Sequence, residues 1–270
     1  MAQGIASLSN RRITEPARKA INEIVNGMFD NLIANHDPSS RPPLSPLARR
    51  GNKEKPFLYA LFPALARAST IERSMSSSMG TTLENIAKEI ALGVGLLAET
   101  QKEVAGSITP GVVGYIDQVT RPRRASDRQT VPPDINTEID TVRNLNEQGA
   151  RVAQRTTLDL LVQTHGTEYY FDLKTPQPNS EQPPAMKKRL LTAKALRLPT
   201  VVHAYAVFYY NPNGLDGSFN VGRAYLHYPD EVLVGREFWD MLAGRGTYED
   251  LINILDLIGN DRRSDLESLL

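Results

Sequence analysis

The spacing of hydrophobic residues predicts helices near both ends of the chain and strands between them. Apolar residues recur every three to four positions in the first and last segments, which is the period of an amphipathic helix. Elsewhere, short apolar runs rich in β-branched and aromatic residues predict strands. The predicted helices cover residues 13–36, 57–68, 81–100, 134–146 and 184–196, with two more starting at Glu231 and Tyr248, and the predicted strands cover 200–210, 221–228 and the two arms of a hairpin within 156–176.

Polar segments rich in Pro, Ser, Gly or Arg separate these elements and predict loops at 36–56, 74–82 and 121–133. The sequence has no evident internal repeat. We therefore expect a single domain over residues 1–270. Its parts would be an N-terminal helical region (1–70), a core (73–230) and C-terminal helices (231–270).

The predicted hairpin has an unusual distribution of charge. Gly166 favours a tight turn, and pairing Thr164 with Thr167 places Asp159 opposite Asp172. Because side chains alternate between the two faces of a strand, the pattern predicts one apolar and one polar face. The apolar face would hold Leu158, Leu160, Val162, Tyr169, Phe171 and Leu173, and the polar face Thr157, Asp159, Asp172 and Lys174.

Two carboxylates about 5 Å apart repel each other unless one is protonated or a cation lies between them. Mg²⁺ prefers such hard oxygen ligands and also accepts phosphate oxygens. The ammonium of Lys174 on the same face could hold a water in line with a phosphorus atom and offset developing charge. The pattern therefore indicates phosphodiester hydrolysis, and the alternative is a surface hairpin whose polar face meets solvent.

Asp159 followed by Asp172-Leu173-Lys174 resembles the active-site signature of the PD-(D/E)XK nuclease superfamily, with Leu158 where that signature has proline. The segment "SMSSSMGTTLENIAKEIA" is similar to an upstream helix of several type II restriction endonucleases, with Ser76, Gly80 and Glu84 in corresponding places. The segment "VGREFWDMLAGRGTYEDLINIL" looks like the carboxyl-terminal part of such enzymes. The resemblance covers roughly residues 73–258.

The resemblance implies an α/β fold with a restriction-endonuclease-like core, a central mixed β-sheet flanked by α-helices, and additional terminal helices. It implies Mg²⁺-dependent cleavage of double-stranded DNA at a short specific sequence by a homodimer. Asp159, Asp172, Glu84 and the backbone carbonyl of Leu173 would bind the metal, and Lys174 would orient the attacking water. A repair or mobile-element nuclease of the same fold and a non-catalytic DNA-binding module are the alternatives.

Glu84 has two interpretations. It lies at the edge of an apolar helical stripe, from which it could reach the polar face of the sheet. However, Thr81 to Glu84 also has the spacing of a capping box, in which the glutamate bonds back to the helix start. Glu89, on the other edge of the stripe, is the reserve candidate for a helix-borne acid.

Basic residues follow the hairpin and precede it. Lys187, Lys188 and Arg189 in the helix 184–196 could neutralise DNA phosphates near the scissile bond. Arginines in the loop 121–133 could reach base edges; these are Arg121, Arg123 and Arg124. A solvated helix face and an ordinary polar loop are the alternatives.

Composition limits the remaining possibilities. The chain has 31 Lys and Arg against 31 Asp and Glu and no cysteine, which excludes disulfides and cysteine zinc sites and leaves any basic surface local. No Gly-rich loop ends in Gly-Lys-Ser/Thr, so no nucleotide cofactor is expected. The start of the chain lacks a signal-peptide core and no apolar run is long enough to span a bilayer, so we expect a cytoplasmic prokaryotic protein with no membrane association.

Overall fold

The computed structural model describes residues 13–36, 63–121, 134–147 and 149–267. Its centre is a five-stranded sheet in the order β1-β2-β3-β4-β5. The pairs β1/β2 and β2/β3 are antiparallel, and β3/β4 and β4/β5 are parallel, so the sheet is mixed, as the resemblance implies. The strands are β1 (Leu97–Ile108), β2 (Val152–Thr164), β3 (Thr167–Lys174), β4 (His203–Phe208) and β5 (Val232–Val234).

Helices cover both faces of this sheet and bury its apolar side chains. They are α1 (Glu15–His36), α2 (Pro63–Gly93), α3 (Pro110–Val119), α4 (Ile135–Asn146), α5 (Gln182–Arg197), α6 (Arg236–Ala243), α7 (Thr247–Asp261) and α8 (Arg263–Glu267). On one face, residues of α1, α2, α6 and α7 form one core with Leu160 and Phe171. On the other, residues of α5 pack on Tyr170 and Phe208. The α/β class is confirmed. No helix within the described ranges has the length and apolar character needed to cross a membrane.

Several predicted elements have the expected bounds. The helix 13–36 corresponds to α1, 184–196 to α5, and 134–146 to α4, whose first turn is capped by the side chain of Asp134. The hairpin has the predicted register, with Thr164 opposite Thr167 and Leu160 opposite Phe171. The positive φ of Gly166, 80°, is the turn conformation that glycine adopts without strain.

The predicted loop at 74–82 is wrong, because α2 continues through it without interruption. The Ser78 hydroxyl donates to the carbonyl oxygen of Ser74 at 2.7 Å, a bond within the helix that accommodates serine. Met79 and Leu83 pack against the core shared with α1, and this packing outweighs the low helix propensity of Ser and Gly. The capping box proposed for Glu84 is therefore also wrong, since Thr81 lies in mid-helix.

Strand β1 was not expected, and its first residues were assigned to a helix over 81–100. The helix instead ends at Gly93, and Gly95 has a φ of 84° while its amide donates to the Leu92 carbonyl. The following segment is polar and mostly exposed, as suits a strand at the edge of the described sheet, so it lacks the apolar alternation that identifies half-buried strands.

Two elements near the C-terminus were also misassigned. Residues 221–228 form turns, not a strand, and Gly222 accepts amide hydrogen bonds from both Tyr225 and Leu226. The segment from Glu231, predicted as helical, begins with β5. Its Val232 pairs with Ala206 of β4, a tertiary contact that sequence spacing does not reveal.

The predicted apolar face of the hairpin is correct except at Leu158. Leu158 packs with Tyr170 and α5, on the face opposite to Leu160. The change coincides with an irregularity in the β1/β2 pairing, where Gln101 has a φ of 52° and the ladder between Thr100 and Lys102 skips both Gln101 and Asp159. The side chains of β2 therefore do not alternate regularly between the two faces of the sheet at Asp159, and Leu158 and Leu160 lie on opposite faces. The described residues include Arg121 but not Arg123, Arg124, most of the loop 121–133, the loop 37–56 or residues 57–62 of a predicted helix.

Candidate active site

The structure brings together the residues that the hairpin pattern singled out. Lys174 Nζ lies 2.9 Å from Asp159 Oδ2 and 2.9 Å from Asp172 Oδ1, and it also donates to the Leu173 carbonyl at 2.8 Å. The backbone amide of Leu173 donates to Asp159 Oδ2 at 2.7 Å, just beyond the end of the paired ladder at Leu160 and Phe171. We call Glu84, Asp159, Asp172 and Lys174 the acidic centre.

Asp172 is fully buried and carries two positive partners. Besides Lys174, the Arg189 guanidinium contacts Asp172 Oδ2 through Nε and Nη2, each at 2.5 Å. Burial raises the pKa of Asp172, and the two cations oppose this shift. For Lys174, burial disfavours the ammonium, but the carboxylates of Asp172 and Asp159 outweigh it and raise the pKa. Lys174 therefore stays protonated at neutral pH.

Glu84 reaches the acidic centre from α2. It is 9% exposed, and its pKa is raised by burial and by repulsion from Asp159 and Asp172. The turn of α2 that carries it is anchored where the Tyr209 hydroxyl donates to the Gly80 carbonyl at 3.2 Å. The reserve candidate Glu89 lies instead beside Lys88, 3.9 Å away.

Sequence reasoning missed Gln101, which joins the two halves of the centre. Its side-chain amide Nε2 donates to Glu84 Oε2 at 2.7 Å and lies 3.4 Å from Asp159 Oδ1. A glutamine in a polar segment gives no sequence signal of this kind. Its position depends on the pairing of β1 with β2, which the sequence did not predict.

The basic residues proposed for DNA binding fall in different environments. Lys188 is exposed and paired with Asp117 at 2.7 Å, and Arg121 is exposed. Arg189 lies against Asp172 with 32% of its side chain exposed, at the edge of the acidic centre. Lys187 is 1% exposed, so it does not lie on a surface where DNA phosphates could reach it, and that prediction is wrong. Arg123 and Arg124 lie outside the described residues.

Lys187 belongs to a second group of charges, which the sequence analysis did not find. Its Nζ lies 2.5 Å from Glu138 Oε2 and 2.7 Å from Glu231 Oε2. Lys194 pairs with Glu231 at 2.9 Å, and His227 Nε2 lies 3.2 Å from Glu138 Oε2. We call these five residues the buried ion-pair cluster. It joins α4 and α5 to the segment that precedes β5.

Two groups of side chains carry atoms of the kind that bind metal ions, one in the buried ion-pair cluster and one in the acidic centre. Glu138, His227 and Glu231 offer ligand atoms within 4.8 Å of one another, but the Lys187 ammonium already lies between the two carboxylates. The three carboxylates of the acidic centre face two cations, its own Lys174 and the neighbouring Arg189, which leaves one excess negative charge. Its carboxylates and the nearby Leu173 carbonyl are hard oxygen donors, so this set fits a divalent cation better.

Comparison with known proteins agrees with this chemistry. Residues 10–259 match the family described as type II restriction endonuclease, HinfI. The type II restriction enzyme HgiCII of Herpetosiphon aurantiacus is 29% identical over an alignment of 272 positions, which covers 94% of this chain and 97% of that enzyme. HgiBI and HgiEI from the same organism are 26% and 27% identical, each over 80% of this chain and 81% of the relative.

Proposed function

The chain belongs to the HinfI family of type II restriction endonucleases, and we propose that its acidic centre is where phosphodiester bonds of double-stranded DNA are hydrolysed. Membership makes the protein a site-specific endodeoxyribonuclease that uses a divalent metal. One observation supports this location of the active site. At the end of the β2/β3 ladder, Lys174 Nζ lies 2.9 Å from a carboxylate oxygen of Asp159 and 2.9 Å from one of Asp172.

Mg²⁺ is the proposed cation, held by Asp159, Asp172, Glu84 and the Leu173 carbonyl. The ion would supply Lewis-acid polarisation of the phosphodiester and charge neutralisation in the transition state. The donor set supports this choice, because carboxylate and carbonyl oxygens are the ligands that Mg²⁺ prefers. The excess negative charge, three carboxylates against Lys174 and Arg189, independently supports a bound cation at this place.

Lys174 is proposed to orient the attacking water. The neighbouring carboxylates keep it protonated, so its ammonium is a hydrogen-bond donor and not a base at neutral pH. Its three N–H donors meet Asp159, Asp172 and the Leu173 carbonyl, so the ammonium would exchange one of these acceptors for the water that it orients. In that position it would also offset charge on the phosphoryl oxygens as it develops. Its contact with the Leu173 carbonyl restricts the ammonium further.

Arg189 and Lys188 are proposed to contact the DNA backbone beside the scissile bond. Arg189 neutralises Asp172 and still exposes about a third of its side chain, so its guanidinium has free donors at the edge of the centre. Lys188 is exposed one residue earlier on the same helix. Such contacts position DNA and carry no sequence information. Arg121 remains a candidate for contact with the bases.

We further propose a homodimer without a nucleotide cofactor, built from one nuclease domain per chain. A two-fold dimer matches a palindromic site, and each subunit would cut one strand.

The test is incubation of the purified protein with unmethylated phage DNA in Mg²⁺ and in EDTA, alongside Lys174→Ala and the control Lys19→Ala, which removes an exposed lysine of α1 that has no proposed role. We expect discrete fragments that require metal and Lys174 and persist in the control. A smear with the same requirements would argue for a nonspecific or repair nuclease. Discrete cleavage by Lys174→Ala would refute the proposed role of that residue, and intact DNA in every lane would contradict the proposed function.

A further inference from the structure

Gln101 has a backbone conformation that is unusual for its position. Among the described non-glycine residues only Gln101 and His165 have positive φ, 52° and 46°. His165 lies in the hairpin turn, where this is common, whereas Gln101 lies inside β1. A left-handed conformation costs about 1–2 kcal/mol for a residue with a Cβ atom, so the surrounding structure must stabilise it.

The side chain of Gln101 shows what that conformation achieves. Regular pairing would place Gln101 opposite Asp159, but the β1/β2 ladder skips both residues. The amide nitrogen instead bonds Glu84 at 2.7 Å and lies 3.4 Å from Asp159. Glu84 comes from helix α2 and Asp159 from strand β2, so this amide connects acids carried by two separate elements.

The chemistry of the amide suits this position. A glutamine NH₂ group has two hydrogens and no net charge, so it can donate to two carboxylates without neutralising either. A lysine there would cancel a charge that a divalent cation needs, and a carboxylate would add repulsion. The amide thus keeps two acids close while leaving their negative charge available.

We propose that Gln101 is a positioning residue that holds Glu84 against Asp159 and thereby sets the affinity of the acidic centre for its divalent cation. This inference rests on the proposed function, because it assumes that the acidic centre is the metal site. Outer partners that orient metal ligands typically change metal affinity by 10- to 100-fold when removed. Gln101 would act through the two carboxylates and not on the DNA itself.

The experiment compares Gln101→Gly and Gln101→Met with the native protein. Glycine adopts positive φ without strain, so Gln101→Gly removes the amide while favouring the native backbone. Methionine keeps the length of the side chain but donates nothing. His165→Gly is the matched control, since it relieves the other positive φ far from Glu84 in the chain.

Two quantities are measured for each protein: Ca²⁺ binding by titration in the absence of DNA, and the Mg²⁺ concentration that gives half-maximal cleavage. For both Gln101 variants we expect Ca²⁺ affinity to fall by about 10- to 100-fold. The half-saturating Mg²⁺ concentration should rise in parallel, with much of the cleavage rate recovered at saturating Mg²⁺. His165→Gly should match the native protein in both, and melting temperatures would show that all variants fold.

Native cation affinity in a folded Gln101→Gly protein would overturn the inference and leave the proposed function intact. Loss of cleavage that saturating Mg²⁺ does not restore, with unchanged Ca²⁺ affinity, would also overturn it. Failure of the native protein to bind Ca²⁺ and to cleave in Mg²⁺ would overturn the proposed function as well.

Discussion

Helix α5 supplies cations to two groups of acids that differ in balance and in access to solvent. Arg189 serves the acidic centre, where three carboxylates face two cations. Lys187 and Lys194 serve the buried ion-pair cluster, where two carboxylates face two ammonium groups. Lys174 is 25% exposed in the former and Lys187 only 1% in the latter. The buried ion-pair cluster is neutral overall and almost inaccessible to solvent, so its charges serve to join elements of the fold. The acidic centre has excess negative charge and is partly exposed, so it can bind a cation and a phosphate.

The pKa shifts follow the same division. In the cluster, burial opposes ionisation of Glu231, but Lys194 and Lys187 outweigh it and lower its pKa to about 2. In the acidic centre, burial and mutual repulsion raise the pKa values of Asp172 and Glu84 despite their partners. The carboxylates of the buried ion-pair cluster are therefore fully compensated by lysines of the protein, whereas those of the acidic centre are not.

The largest expected effect comes from Asp172→Asn, which removes one charge from the acidic centre and keeps its size. Loss of a cation ligand removes several kcal/mol of transition-state stabilisation, so cleavage should fall by about 10³-fold or more. DNA binding in EDTA should remain close to native, because backbone contacts do not need this carboxylate. Cleavage assays and gel-shift titrations measure the two quantities, and native cleavage by the variant would remove Asp172 from the site.

Lys187→Met tests the other group. Removing Lys187 leaves the buried Glu138 without an ammonium partner and Glu231 with Lys194 alone, so the free energy of unfolding should fall by about 3–5 kcal/mol. Cleavage per folded molecule should stay near native. Lys188→Met is the control, since the exposed pair with Asp117 is worth less than about 1 kcal/mol. Urea denaturation distinguishes them, and equal stabilities would mean that the cluster does not hold the fold together.

Acid should weaken the cluster over a defined range of pH. The pKa of Glu231 is depressed from an ordinary 4.5 to about 2, so its contribution to stability is present above pH 4.5 and is lost as the pH falls towards 2. A shift of this size corresponds to about 3 kcal/mol. Denaturant unfolding at pH 5, 4 and 3 measures the decline. A Glu231→Gln variant with the same decline as the native protein would contradict this account.

The smallest effect distinguishes which group binds a divalent cation. At a free Ca²⁺ concentration about ten times the Kd, preferential binding to the folded state stabilises it by about 1.4 kcal/mol. The measured quantity is the rise in melting temperature on adding Ca²⁺. We expect it to disappear in Asp172→Asn and to persist in His227→Gln. The reverse pattern would place the cation in the buried ion-pair cluster instead.

The hairpin was predictable because its information is local. A turn glycine, flanking threonines and two mid-strand aspartates lie within 21 residues, and together they predict the register and the meeting of both aspartates with Lys174. The amphipathic helices α1 and α4 were predictable for the same reason. Their apolar spacing reports directly on the face that each one buries.

The rest depended on contacts between distant segments. Strand β1 is polar and is defined by its pairing with β2, so neither it nor Gln101 could be placed from spacing alone. The side of the sheet that Leu158 faces changes at the same irregularity, which spacing alone does not reveal. Helix α2 continues through a Ser- and Gly-rich run because packing against α1 outweighs local preference, a balance that a single sequence does not display.

The range of sequence separations within the acidic centre carries a consequence for how the enzyme folds. The bonds that join Asp159 to Leu173 and Lys174 span 14 and 15 residues, whereas the contact of Gln101 with Asp159 spans 58. Closing the longer loop costs about 1 kcal/mol more in chain entropy, so contacts of this kind form later. The hairpin half of the centre is therefore expected to assemble first, and the glutamate from α2 to join it only when the edge strand docks. The enzyme would then become able to cut DNA only after β1, the edge strand, has paired with β2.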